Sequence, residues 1–568
     1  MAKDYPSKRA TWVPLPWANT PAPLLERWRW VAFERRVGLS RVLLALAIGI
    51  GAFLRFWALN SSGYNSDEAV YAGQGAAIAA DATLKEIFPI FRAHPLLFQF
   101  VLAICFRFFG VNDLLGRCMS VLFGLATIYI IYQLGMLLYG RKVGLLAALL
   151  LAAMPYHVIV TRQVLLDGPM VLFATLTLYL LARFATTQRP AWLYAVGAGM
   201  GLTFLTKETG LVLLGAIYAF LSLSPRIRVR IRDLIISTGC LAAVMAPHFL
   251  ALSLVGRTKT AQQFLLWQLF RRPNHDADFY ASTVPAAIGP LVILAAFLGL
   301  WLLRHQRSWR ETLLLAWVLV PTVFFQLWPV KGFQYLLPAA PALAVLAART
   351  VMRYTPGLSV PEEQAPDRPA RAVRLPWLRQ HMRGLTSRVH AWALHFLQPW
   401  RPMVRPLAAT VLVGSLVITS WWQINFVISD EFFAGTGGIP GGREAGEWVH
   451  DHVPEGARLV AIGPSMANII QFYGHRRAYG LSVSTNPLHR NPVYEPVVNP
   501  DKRIREGDLQ YFVYDVFSEA RTTHFTASLM RYVRRYHGRV VHTESVPVTM
   551  PDGSTMLKPI IIIYEVHP

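Results

Sequence analysis

The chain has 568 residues, of which 54% are hydrophobic and 15% charged, and it carries a formal net charge of +23. Such a composition excludes an ordinary soluble domain, because windows of ~20 apolar residues meet the length needed to cross a ~30 Å hydrocarbon layer. The positive charge lies in short segments between those windows, the positive-inside pattern, so it orients a membrane protein and gives no reason to expect a nucleic-acid partner.

Residues 1–40 are basic (Lys3, Lys8, Arg9, Arg35, Arg36) and are expected on the cytoplasmic side. The first apolar run, Val42 to Leu59, is near full membrane length and starts well into the chain, so it reads as an uncleaved anchor. It delivers Gly63-Tyr64-Asn65-Ser66-Asp67-Glu68 to the outer side. Adjacent helix residues point about 100° apart, so the two acids cannot form a matched pair, and Asp67 is expected to act alone. The alternative is that both acids charge the first turn of a juxtamembrane helix with Ser66 as N-cap. Within the first external loop, residues 60–116, Pro95 to Gly110 is short and carries Gln99 and Arg107. A crossing there would place Arg141 and Lys142 outside and invert the later basic loops, so an interfacial amphipathic helix is expected.

Further spans are expected at Cys118 to Tyr139, Val143 to Val160, Pro169 to Phe184, Trp192 to Thr206, Thr209 to Leu223, Leu234 to Leu254, Val284 to Leu303, Thr312 to Trp328, Phe333 to Val351 and Leu407 to Val427. With the first they make about eleven crossings in a module spanning residues 41–428. Residues 353–405, rich in Pro and Arg, form an expected cytoplasmic loop, partly disordered. Residues 429–568 read as a small α/β domain outside the membrane. It has a helix at Glu444 to His452, strands at Arg458 to Gly463 and Leu509 to Val516, a helix at Thr522 to Tyr536, and a hairpin of Val540 to Met550 with Met556 to Val566. Cys105, Cys118 and Cys240 lie in apolar segments, so neither a disulfide framework nor a metal spacing follows.

The polar residues outside the basic loops collect at the external ends of spans: His94, Arg162 and Asp167, Lys207 and Glu208, Arg271 and Arg272, Lys331 and Tyr335. Each has a dull explanation alone: Asp167 pairing with Arg162, Lys207 with Glu208, Lys331 snorkelling to headgroups. Together they mark function, because charges at membrane depth are costly. One external carboxylate beside several cations suits a sugar carried on a polyprenyl phosphate. The phosphate already leaves readily, so the second carboxyl that a glycosidase needs to protonate its leaving group is dispensable. Asp67 would take the acceptor hydroxyl proton, and Lys207, Arg271, Arg272 and Lys331 would hold the phosphate oxygens. Attack opposite the phosphate would invert the anomeric centre. His275-Asp276-Ala277-Asp278 can take a divalent cation, a candidate cofactor, although a solvated loop is the simpler reading.

The order Asp67-Glu68, His94-Pro95, Arg162-x-x-x-Leu166-Asp167-Gly168, Leu205-Thr206-Lys207 and Lys331-x-x-x-Tyr335-Leu336-Leu337-Pro338 resembles the GT-C superfamily over Leu43 to Ala348. The likeness is greatest to protein O-mannosyltransferase-like and aminoarabinose-transferase-like members, the relatives of glycosyltransferase family 39. That resemblance implies a polytopic α-helical membrane enzyme, here with a carboxyl-terminal extracytoplasmic domain, whose active site faces outward from the cytoplasmic membrane. It implies Asp67 as the catalytic base, Glu68 and Asp167 shaping the site, and His94, Arg162, Lys207, Lys331 and Tyr335 lining the donor pocket. The implied partners are a polyprenyl-phosphate sugar and an acceptor hydroxyl on protein, glycan or lipid. The family's His-Pro-Pro is His94-Pro95-Leu96 here. The rival class is a transporter or flippase of a lipid-linked or small polar substrate, which would show symmetric halves and ionisable groups near mid-bilayer.

Overall fold

Backbone groups in hydrocarbon must be satisfied within one segment, and the longest apolar runs accordingly fold into long helices. This computed structural model describes residues 22–90, 94–271, 273–304, 307–353, 401–429, 439–549 and 554–568. Among them, seven helices are long and apolar enough to cross a membrane: Gly38–Phe56, Asp113–Tyr139, Asp167–Thr187, Ile231–Leu254, Trp309–Leu327, Phe333–Arg353 and Met403–Val427. The number is eight if Phe279–Ile288 and Pro290–Leu302, bent by 95°, form one span. The chain is a polytopic helical membrane protein.

The expected eleven crossings are not matched by eleven full-length helices, and the difference falls on broken or short segments. Pro155 divides the run from Val143 to Val160 into helices Arg141–Ala153 and Pro155–Val160, because proline lacks an N–H and fits only a helix's first turn. Gly289, at φ 98°, and Pro290 break the run from Val284 to Leu303. Helix Pro190–Thr206 has 17 residues, and the run from Thr209 starts as a 3₁₀ turn before a 12-residue helix, Val212–Leu223. The Leu97–Phe109 helix has 13 residues, too few to cross alone. It buries Phe98, Leu102 and Phe106 on one face and exposes Phe100, Ile104 and Phe108 on the other. Residues 1–21, Arg92, Arg272, 354–400 and Gly435 to Gly438 lie outside the described residues.

Residues 458–565 contribute a five-stranded sheet in the order β2-β1-β3-β5-β4, with β1 Arg458–Ala461, β2 Arg477–Gly480, β3 Tyr511–Asp515, β4 Arg539–Thr549 and β5 Thr555–Glu565. The first three strands run parallel, and the β4–β5 hairpin adds antiparallel to β3. This unit sits on the first loop of the membrane module. Arg443 donates to Asp113 Oδ2 at 2.8 Å and to the Ser62 carbonyl at 3.0 Å, and Tyr473 accepts from the Tyr64 N–H at 2.7 Å while donating to Asp113.

Packing between the helices is close enough to need glycine. A Cβ on Gly197 would lie 1.9 Å from the Ser237 carbonyl oxygen, so the Pro190–Thr206 and Ile231–Leu254 helices meet backbone to backbone. Gly197→Ala is therefore expected to force the two helices apart and destabilise the fold by about 1–3 kcal/mol, measured as a lower unfolding temperature in detergent.

Candidate active site

The loop after the first span turns into the Ser66–Ile78 helix at a capping box. Asn65 Oδ1 accepts from the N–H groups of Asp67 (2.9 Å) and Glu68 (3.0 Å), and Glu68 Oε2 accepts from the Asn65 N–H at 3.0 Å. The N-cap is thus Asn65 and not Ser66, which is the first helical residue. Glu68 is fully buried and receives Arg117 through Nε and Nη2, both at 2.9 Å, and the Val164 N–H at 2.9 Å. With both oxygens taken by protein donors, Glu68 holds the loop and offers nothing to a ligand.

Asp67, one position earlier, points elsewhere. Its side chain is exposed and takes no hydrogen bond or ion pair from the described residues. Solvent reaches it, yet protein surrounds it closely enough that burial raises its pKa above the ordinary carboxylate value, against the pull of Lys207, His94 and Arg271. Those three are the cationic or ionisable groups that act most strongly on it.

The surrounding pairs differ from those adjacency suggests. Asp167, at the start of the Asp167–Thr187 helix, binds the Lys207 amine through both oxygens at 2.9 and 2.8 Å, not Arg162. Burial alone would lower the Lys207 pKa, but Asp167, Tyr335 and Glu208 together outweigh it and the net shift is upward. Lys207 also lies 5.0 Å from the Tyr335 ring centre. Glu208 pairs instead with His94, at 2.8 Å, whose ring meets Tyr71 and Phe264 edge-on. Arg162 turns to the carbonyls of Leu54 (2.8 Å) and Arg55 (2.9 Å), ending the first helix, so its guanidinium is not aimed into a donor pocket.

Among the described residues, Arg271 and Lys331 form no ion pair. Arg271 follows the Thr258–Phe270 helix, stacks over Trp267 at 4.5 Å and donates to Gln268 at 3.2 Å. Burial lowers its pKa, while Tyr335 and Asp67 oppose that shift. Lys331 is mostly buried and is positioned by Asn274, which exchanges two 2.8 Å hydrogen bonds with its backbone, and its amine makes no ion pair among the described residues. Nothing ties Lys331 directly to Asp67, unlike Lys207. Arg272 lies outside the described residues. His275 stacks on Phe279 at 4.0 Å, and among the described residues no three His, Cys, Asp or Glu side chains gather as metal ligands.

With this geometry in place, residues 93–250 match the family described as dolichyl-phosphate-mannose-protein mannosyltransferase. The apo structure of ArnT from Cupriavidus metallidurans superimposes with a TM-score of 0.63 at 16% identity, over 94% of this chain and 98% of that one. This chain has the GT-C fold. An undecaprenyl phosphate-alpha-4-amino-4-deoxy-L-arabinose arabinosyl transferase of Serratia proteamaculans is 29% identical over 259 residues, 42% of this chain and 46% of that protein. An Aquifex aeolicus protein is 27% identical over 267 residues, 45% of this chain and 52% of its own length. The chain thus spans about half the length of the curated relatives it matches.

Sequence reasoning passed over Arg117, Asn65 and Asp113. Arg117 and Asp113 are charges in the first turns of an otherwise apolar span, the one signal that could have exposed them. Removing one partner of a buried pair strands the other charge. Arg117→Ala is expected to cost about 3–5 kcal/mol and to lower the unfolding temperature sharply, whereas Asp67→Asn leaves it unchanged; thermal unfolding of both purified variants checks this.

Proposed function

We propose that the chain transfers one sugar from a polyprenyl-phosphate donor to an acceptor hydroxyl on protein, glycan or lipid, at the extracytoplasmic face of the cytoplasmic membrane and with inversion. The observation that carries this reading is the Asp67 carboxylate, unclaimed by any described residue beside Lys207, His94 and Arg271, while its neighbours Glu68, Asp167 and Glu208 are each paired. The likeness to the GT-C fold supports it: an ArnT structure bound to undecaprenyl phosphate superimposes with a TM-score of 0.60 at 16% identity, over 92% of this chain and 97% of that one.

In the reaction, the acceptor oxygen attacks the anomeric carbon as the carbon–oxygen bond to phosphate breaks. That electron pair departs on the polyprenyl phosphate, and the acceptor proton passes to Asp67. Negative charge therefore grows on the phosphate while Asp67 loses its own. Arg271 and Lys331, which form no ion pair among the described residues, suit the phosphate better than Lys207, whose charge Asp167 already balances. Lys207 and Tyr335 then shape the wall behind the sugar.

Asp67→Asn should reduce transfer from short-chain prenyl-phosphate sugars by about 10²–10⁴-fold with the fold intact; retained turnover in a folded variant removes the base. The base works only when ionised, so in the unmodified chain the rate should rise with pH through the Asp67 pKa, placing the acid limb above the ordinary carboxylate range. Asp67→Asn should abolish that limb. Arg271→Ala is expected to weaken undecaprenyl phosphate binding by about 1.5–3 kcal/mol, the worth of a hydrogen bond to a charged group; titration of the lipid in nanodiscs measures it.

A further inference from the structure

A cavity of 350 Å³ lies between the sheet-bearing unit and the first external loop, and nothing above assigns it a role. Its wall includes Asn468, Gln471, Tyr494 and Glu495 from the carboxyl-terminal part, and Glu86 and Arg257 from the membrane module. Among the described residues Glu86, Glu495 and Arg257 form no ion pair with one another or with other groups.

Asn468 is the informative residue. It is 1% exposed, on the Pro464–Gly474 helix, and its Nδ2 reaches Ser66 Oγ at 3.0 Å and the Tyr494 hydroxyl at 3.1 Å. Its Oδ1 has no hydrogen-bond partner among the described residues. Both neighbours are hydroxyls and can donate or accept, so turning the amide over only exchanges which end is left unpaired. A buried polar atom without a partner costs free energy unless a ligand completes it. Ser66 immediately precedes Asp67, so this incomplete amide is one hydrogen bond and one residue from the base. Tyr494 and Asp67 are also both close enough to Arg271 to act on its charge.

We propose that this cavity is the acceptor subsite, that it binds a carbohydrate, and that Asn468 is the residue that reads a sugar hydroxyl there. The proposal rests on the glycosyl-transfer reading above. Sugar hydroxyls donate and accept at once, which matches a wall of amides, carboxylates, two guanidiniums and two phenols. An acyl chain would call for an apolar lining instead. The Asn468–Ser66 bond keeps the bound acceptor in register with the turn that carries Asp67, so the sheet-bearing unit selects the acceptor while the helices hold the donor.

The test uses the full chain in nanodiscs, probed with a printed array of mono- to tetrasaccharides, with vesicles containing glucosyl-diacylglycerol, and with arrayed Ser/Thr peptides. Saccharide binding on the array identifies a free or protein-borne glycan acceptor, and binding only to the vesicles identifies a glycolipid headgroup; the peptides should not bind. Asn468→Leu removes the amide and Gln471→Trp fills the cavity, and each should reduce the saccharide signal by about tenfold or more, the worth of a buried hydrogen bond. Undecaprenyl phosphate binding should be unchanged in both. Binding of peptides alone, binding of no saccharide in either arm, or saccharide binding that survives both substitutions overturns the proposal. Failure of the unmodified chain to bind undecaprenyl phosphate would instead count against the transfer reading.

Discussion

The bond between Glu68 and Arg117 is the constraint on which the site depends. Taking both charges out of water is costly, and the pair is tolerable only because every remaining donor and acceptor is met. Arg117 also donates to the carbonyls of Leu59, Ser62 and Gly63 at 2.9, 2.7 and 2.8 Å, and Glu68 also receives the N–H groups of Asn65 and Val164. One ion pair thus fixes the exit of the first span, the start of the Asp67 helix and the loop before Asp167. Since consecutive helical residues diverge, anchoring Glu68 inward turns Asp67 outward.

The same loop is where the sheet-bearing unit docks. Arg443, Tyr473 and Asn468 all reach residues between Asn60 and Ser66, or Asp113 at the start of the next span. Gly63 is required at this seam, as a Cβ there would come within 2.8 Å of Arg443 Cβ. A shift of the carboxyl-terminal unit would therefore act directly on the turn that presents Asp67, coupling the two parts by contact and needing no longer pathway.

Deeper in the helices, Arg55 is wholly buried and forms no ion pair among the described residues. Its donors go to Thr161 Oγ1, the carbonyls of Gly51 and Ala152, and His157 Nδ1 at 2.6 Å. Because Nδ1 must accept from the guanidinium, the His157 proton sits on Nε2, which has no partner among the described residues. Neutral acceptors satisfy this arginine, so it locks the first span to the helices around Pro155 without drawing on the carboxylates of the site.

The sequence by itself determined the long apolar helices and four of the five strands of the carboxyl-terminal unit, and it marked Asp67, His94, Lys207 and Arg271, which the fold brings near one another. These follow from periodicity, the divergence of adjacent helix positions and the cost of charge at membrane depth, all local properties. Tertiary structure alone decided the pairings. Asp167 meets Lys207 across 40 residues and Glu208 meets His94 across 114, while the sequence neighbours Arg162 and Lys207 were the obvious but wrong partners. Spacing along a chain carries no information about which of several cations faces a given acid once helices pack. It also could not say that Asn468 is held against the turn beside Asp67, because that depends on how distant segments stack.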